Sequence, residues 1–457
     1  MSLINLLAIA RSALLAQQRA MEVTGHNVSN ASTPGYSRQR LLLETATPLT
    51  TVNGSLGRGV SEQGVIRVRD SFLDAAYRRS AGLFGQSGTS FDVLSQIQSV
   101  LHEPSSTGLV NALDGMFHAF SDLANDPSSA NSRTLLREAA VQLVNQLHDI
   151  HGQLSQLGQD AFGRMSDQVG QVNQLTSQIA ELNAQIVATG GVNGQAPDLQ
   201  DRRDQLIDQL SGLVGVQVVD RPDGTVGVIA GTTSLVDGAS STALAVQPVG
   251  GGFGVGLASG GGLIDPRSGS LKSLVDLSTQ SFPALQAGLD QFTSALVNEV
   301  NNVHVAGFTL SGATNINFFD PAGVTAGNIA LSSDILASTD NIAAAATNAP
   351  GDGGQALKMA QCDTVGLVAL GGQTMRGFYT SIATSLGVQV QSASQDQDTH
   401  QTMMDQADAQ RQSVSGVSID DEMVTLIGQQ QAYSAAARLV TVADQMMQEL
   451  ITMMGTA

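Results

Sequence analysis

Apolar positions at the start of the chain repeat at steps of three and four. Leu3, Leu7, Ala10, Leu14, Met21 and Val28 fall in one row with Gln17 and Thr24, and Leu6, Ile9, Ala13, Ala16, Ala20 and Val23 fill the row beside it. This predicts one helix of about 26 residues, roughly 40 Å long, with an apolar face wider than a globular surface helix uses. The period returns at the other end. Ile419, Met423, Leu426, Tyr433, Ala437, Val440, Met447 and Ile451 form a seam interrupted by Gln430 and Asp444. Ser418 is the expected N-cap, and Asp420, Asp421 and Glu422 suit the positive end of that helix.

Between these ends the stripe Leu143, Leu147, Ile150, Leu154, Leu157, Ala161 slips in phase near Met165. It resumes as Val172, Leu175, Ile179, Leu182, Ile186. "PDLQDRRDQLIDQLSGLVG" predicts a further helix, N-capped by Asp198 and closed by Gly212 or Gly215. Another covers Leu271 to Val303. The texture changes at "VGVQVVDRPDGTVGVIAGTTSLV", where period-two alternation surrounds a Pro-Asp-Gly turn, and again at "TALAVQPVGGGFGVGLA". The eleven prolines avoid 1–33, 128–196 and 351–457, which leaves those segments free to be long helices.

The expected fold is mainly α: a long helical bundle with paired N- and C-terminal coiled-coil helices and a small β-rich inserted domain. The expected division is a terminal assembly region at 1–50 and 416–457, and a discontinuous bundle at 51–214, 268–306 and 355–415. A β-rich insert follows at 215–267, and an irregular insert at 307–354 with short strands around "INFFD" and "NIALS". Each terminal seam would leave its face in water unless the first helix packs on the last. A two-helix pair still leaves much of the wide face bare, so other copies of the chain are expected to cover it.

Composition narrows the function. Apolar residues make up 42%, aromatics 4%, and there is no tryptophan, which suits helix packing better than an aromatic-lined pocket. The net charge of −19, with Lys272 and Lys358 the only lysines, disfavours nucleic acid and anionic membranes as partners. No run of about 18 apolar residues predicts a membrane span. The N-terminal apolar stretch lacks a basic n-region and is interrupted by Arg11, so no cleaved signal peptide is expected.

Candidate chemistry is sparse. Cys362 cannot form an internal disulfide and has no His or Asn marked as its partner, so an inert thiol is expected over a secreted hydrolase's nucleophile. His148 and His151 share a helix face but lack a third ligand at metal spacing. Asp396, Asp398 and His400 lack the glycine and distal glutamate of a calcium loop. No catalytic, cofactor or metal site is expected. An adhesin whose β insert binds surfaces is neither supported nor opposed by composition.

The first helix is followed by "NVSNASTPGYSRQR". Asn27 and Asn30 can end a helix through a left-handed residue or a side-chain cap. Thr33 precedes Pro34 and so must be extended. Pro34-Gly35 suits the centre of a type II turn, and Tyr36 follows as a large amphipathic side chain. This stretch resembles the signature of the axial proteins of the bacterial flagellum, the family of rod, hook and hook-associated proteins. "GVSIDDEMVTLIGQQQAYSAAARLVTVADQMMQELITMM" resembles the family's terminal helix. "LVNALDGMFHAFSDLANDPSS", "DLQDRRDQLIDQLS" and "LVNEVNNVHVAGFTLSG" resemble its hook-associated, junction-forming members rather than a hook or rod subunit.

The resemblance implies export without a cleaved signal, and assembly outside the cell into a helical tube lined by paired terminal helices. It implies contact with other copies, with hook protein on one side and a second junction protein on the other. A cytoplasmic chaperone on the C-terminal helix is also implied. The seam expected to carry assembly is Leu3, Leu7, Leu14 and Met21 with Met423, Leu426, Tyr433, Val440, Met447 and Ile451. The turn Asn27, Asn30, Thr33, Pro34, Gly35, Tyr36 is expected to orient that coil against the bundle.

Overall fold

A computed structural model describes residues 3–51, 54–101, 103, 105, 108–189, 196–349 and 351–455. Helix α1 (Leu3–Asn30) leads into a β ribbon that its sequence did not announce. Strand β1 (Gln39–Thr45) runs to a tip hairpin of β2 (Leu49–Thr51) and β3 (Gly54–Leu56), then returns as β4 (Val60–Arg67), antiparallel to β1 with a bulge after Leu42. The ribbon lies on α1, where Ser12 Oγ accepts from the Val60 N–H at 3.4 Å. Gly59 has φ +94°, and a Cβ there would sit 2.1 Å from Ser12 Oγ. The boundary expected at residue 50 therefore falls inside one ribbon. Neither face of a two-stranded ribbon is fully buried, so nothing enforces the period-two pattern by which a strand is read.

The bundle begins with α2 (Ser71–Leu101), α3 (Leu109–Asn125), α4 (Ala130–Ala188) and α5 (Pro197–Leu213). Helix α4 has 59 residues and so is about 90 Å long. It continues unbroken through the phase slip: Ala161, Met165 and Val169 are successive buried positions four apart, which rotates the stripe toward new neighbours. Its early turns pack on α3 and its late turns on α5 and the β insert. Asp198 is not the N-cap of α5. Ala196 holds that position and Pro197 takes the first turn, where its missing N–H costs nothing.

The β insert holds two small antiparallel sheets. Strands β5 (Val216–Asp220), β6 (Val226–Ala230), β7 (Thr233–Asp237) and β8 (Ser240–Ser241) form one in sequence order. The other has β10 (Gly252–Leu257) between β9 (Leu244–Val249) and β11 (Leu263–Ile264). The chain then re-enters the bundle through α6 (Ser270–Asp276), a π turn at Leu277–Ser281, and α7 (Phe282–His304). Pro283 explains the π turn: it has no N–H and its ring would strike the carbonyl four residues back. The Phe282 N–H reaches instead to Leu277 O.

Among the described residues, 307–349 contains α8 (Ser333–Ala337) but no strand. In place of the short strands expected around "INFFD" and "NIALS" there is one isolated bridge between the two, Phe319 to Leu331. Helix α9 (Gly354–Gln361) follows, then α10 (Met375–Ser415), which packs antiparallel along α2, and α11 (Ile419–Gly455).

Helices hold irregular backbone through single side chains. Asn173 brackets Leu244, donating to its carbonyl at 2.9 Å and accepting from its N–H at 2.8 Å. Asn183 brackets Val226, and Asn301 brackets Phe318 and Phe319, in the same way. Asn173 and Asn183 stand in for a neighbouring strand where β9 and β6 meet α4, and Asn301 does the same for irregular backbone beside α7, so none of these backbone groups is orphaned. Arg133, buried at the start of α4, donates to the carbonyls of Pro127, Thr339 and Ile342.

His304, at the end of α7, fastens the irregular insert in a similar way. Its Nδ1–H donates to Ile316 O at 2.6 Å, and its Nε2 accepts from the Ala343 N–H at 2.9 Å. Burial, against the pull of the Ile316 carbonyl and with the push of Arg133, lowers its pKa from 6.5 to about 4. The unfolded chain takes up this proton below pH 6.5 while the folded chain resists it. Stability should therefore fall as pH drops from 6.5 to 4, by up to about 3 kcal/mol from this group. Urea unfolding at stepped pH checks this, with His304→Gln expected to flatten that part of the profile.

Candidate assembly interface and its anchoring network

Helix α11 lies antiparallel on α1. Glu422 faces Asn27, and seven residues later Gln429 donates to Thr24 Oγ1 at 3.2 Å. The buried positions of α11 are Glu422, Ala436 and Ala443, with Leu426, Gln429, Ala437, Val440 and Met447 half-buried. On α1 they are Ala10, Ala16, Val23, Thr24 and Asn27, while Leu3, Leu7, Leu14 and Met21 are half-buried.

Half of the expected C-terminal register is thus displaced by one residue. Leu426, Val440 and Met447 face α1, but the alternate positions are 422, 429, 436 and 443 rather than 423, 430, 437 and 444. Met423, Tyr433 and Ile451 are exposed, Ile451 by 65%. The reason is packing. Alanines bring two helices close, and a seam built on Ala, Glu and Gln scores poorly by hydropathy although it is what the partner helix accepts. The larger apolar side chains are left outside. Ile4 is 75% exposed and Val424 72%, joined by Leu15, Ile427, Leu439, Val442, Met446, Leu450 and Met453.

The base of this coil is tied by the turn motif. The Tyr36 N–H donates to Thr33 O at 3.2 Å and Gly35 has φ +80°, the conformation a type II turn demands at its third residue. Asn30 stays in the helix and donates to His26 O at 3.0 Å, capping one of the last carbonyls. Asn27 does not end the helix; it is buried within it and makes four hydrogen bonds. Its amide donates to Gln39 O (2.9 Å) and Glu422 Oε2 (3.1 Å), and its Oδ1 accepts from the Gln39 N–H (2.9 Å) and the Tyr36 hydroxyl (2.8 Å). With its hydrogen given to Asn27, the Tyr36 oxygen accepts from His26 Nδ1 at 2.9 Å. Burial first, then Asp198, Asp201 and Glu422, pushes the Tyr36 pKa well up, so it remains a donor. Arg38 donates to Glu422 Oε1 at 2.7 Å, and its N–H to Ser415 O at 2.8 Å, gripping the link between α10 and α11.

A second layer fastens this turn to the bundle. Asp201 accepts from the Ser37 N–H (2.9 Å) and hydroxyl (2.7 Å), and Asp198 accepts from Gln39. Arg67 reaches Asp201 at 2.9 Å and Asp204 at 2.6 Å; Arg69 reaches Asp204 at 2.8 Å and pairs with Asp74. Arg78 bridges Asp204 and Asp208, and Arg411 of α10 binds Asp208 while its guanidinium lies 3.9 Å over the Tyr77 ring. Burial alone would raise the Asp204 pKa, but Arg67, Arg69, Arg78 and Arg203 together hold it far below the carboxylate range. Sequence reading missed this network. Its signal was present: Asp198, Asp201, Asp204 and Asp208 share one face of α5, opposite arginines clustered at 67, 69 and 78.

The remaining candidates do not converge. Cys362 is buried, its thiol donates to Lys358 O at 3.4 Å, and burial, then Glu299, pushes its pKa up to about 11, the reverse of an activated nucleophile. His400 pairs with Ser87 and His151 packs on Gly327. Among the described residues no group of three or more His, Cys, Asp or Glu could hold a metal, and no helix is long and apolar enough to cross a membrane.

Comparison with known proteins matches this anatomy piece by piece. Residues 94–319 match the flagellar hook-associated protein FlgK helical domain. Residues 7–36 match the flagella basal body rod protein family, and 408–453 the flagellar basal body rod FlgEFG protein C-terminal family. The chain is 30% identical to flagellar hook-associated protein 1 of Bacillus subtilis over 98% of both chains. It is 30% identical to that of Salmonella typhimurium over 69% of this chain and 59% of the relative. The solved structure of the flagellar hook junction protein FlgK from Burkholderia pseudomallei shares the fold, with a TM-score of 0.65 at 17% identity, over 76% of this chain and all of the other. With a relative matched from end to end and the helical domain matched in the middle, the chain belongs to the flagellar hook-associated protein 1 family.

Proposed function

We infer that the chain is a structural protein of the bacterial flagellum, an adaptor at the junction of hook and filament. The observation that carries this reading is the coil of α1 and α11. It buries alanines between its two helices and turns its large apolar side chains outward, along a helix pair rigidly braced against the bundle. A face of that kind suits heterologous contacts that repeat into a short helical zone rather than closing as a dimer. Other copies cover it, hook protein meets one end of the zone and a second junction protein the other. The protein works outside the cell, exported without a cleaved signal, and an export chaperone shields α11 beforehand. The bundle and the two inserts face away from the axis.

Cells lacking the protein should build hooks but release filament subunits into the medium. Restoring the chain with Val424→Asp and Ile427→Asp, both on the exposed face of α11, should leave the monomer's helix content unchanged and fail to restore filaments. Filament growth with that variant would refute the role of the exposed face.

A further inference from the structure

We propose that the cavity between α2, α5 and β5 is an oxyanion site that takes a small, doubly charged anion of the phosphate class. The cavity has a volume of about 730 Å³ and is lined by Arg67, Arg69, Arg78, Arg79, Arg203 and Arg267, on a chain of net charge −19.

Three of these arginines are already neutralised. Arg67, Arg69 and Arg78 are paired with Asp74, Asp201, Asp204 and Asp208. The other three are not. Arg203 is 4% exposed, its Nη1 donates only to neutral oxygens, Asn183 Oδ1 and Gly224 O, and its Nε has no partner. Arg79 and Arg267 are exposed, and among the described residues neither meets a carboxylate as an ion pair. Among the described residues, Asp220, exposed at the end of β5, is the one further carboxylate in the lining beside Asp74 and Asp204. Arg79, Arg203 and Arg267 thus add three cations that no described carboxylate meets as an ion pair, and Arg203 is buried, where a charge without a direct partner is costly. A dianion with several acceptor oxygens matches planar guanidinium donors. Ser71 and Ser268 add hydroxyl donors, and among the described residues no aromatic side chain lines the cavity to stack a nucleobase.

The test is calorimetric titration of inorganic phosphate into the full chain at constant ionic strength in chloride. Calorimetry is preferred to a melting shift because phosphate stabilises folded proteins generally. Saturable binding at one site is expected, with acetate unable to compete. The double variant Arg79→Ser, Arg267→Ser should bind at least about tenfold more weakly, since each charge-assisted hydrogen bond contributes on that order. Both positions are exposed, so the variant's unfolding without phosphate should match the parent. Absence of saturable binding, equal competition by acetate, or undiminished binding by the double variant would each overturn the site.

Discussion

Asp204→Ala should destabilise the chain by about 3 kcal/mol, because it removes the carboxylate shared by three largely buried arginines and leaves each with one direct partner, Asp201, Asp74 or Asp208. The pairs themselves need not add much net stability over an apolar replacement, since burying them costs nearly what their attraction returns. Their consequence is geometric. Arg67 ends the ribbon, Arg69 precedes α2, Arg78 lies within α2, and Asp204 sits on α5, so one carboxylate sets three chain segments relative to a fourth. Its loss should loosen the coil from the bundle before the bundle unfolds. Guanidinium unfolding measures the first effect, and faster proteolysis near Arg38 and Arg40 the second. Unchanged stability would mean that the remaining carboxylates compensate. The pH signature separates this network from His304. With its pKa depressed, Asp204 contributes fully above the ordinary carboxylate range and is lost only as pH falls well below it. Acid should therefore weaken the irregular insert first and the anchoring network last.

Asn27→Asp should be nearly as damaging although it keeps the shape of the side chain. The substitution turns the amide nitrogen, a donor to Gln39 O and Glu422 Oε2, into an anionic oxygen facing two acceptors. Two buried hydrogen bonds are lost and a like-charge pair is created, together about 3 kcal/mol. The loss should shrink at acid pH, where the new carboxyl protonates and regains one donor. A substitution that merely disturbed packing would show no such recovery. Thermal unfolding at pH 7 and pH 4.5, read against Asn27→Leu, distinguishes the two, provided the His304 contribution is subtracted with the parent chain.

Much of the molecule is legible along the chain. Long helices declare themselves through periodicity, and the stripe of α4 could be followed across its phase slip because each buried position is spaced from the last by one helical turn. The turn at Pro34-Gly35 was legible for a local reason: proline restricts φ and glycine permits the positive φ that follows. The displaced register of α11 was not. Glu422, Ala436 and Ala443 are buried and Gln429 half-buried because α1 happens to present Asn27, Thr24 and alanines there, and no property of α11 by itself ranks them above Met423 or Ile451.

The same division separates the ends of the chain from their anchorage. Sequence by itself determined that both termini are apolar helices and that the middle is helical with a β insert. Only tertiary structure decided that the Asn27 side chain, from within its helix, brackets Gln39, that a ribbon joins the coil to the bundle, and that aspartates of α5 meet arginines more than 120 residues away. Periodicity is a property of neighbours one turn apart. Hydrogen-bond and charge partners are chosen across the fold, where the pattern along any one segment is silent about what it will face.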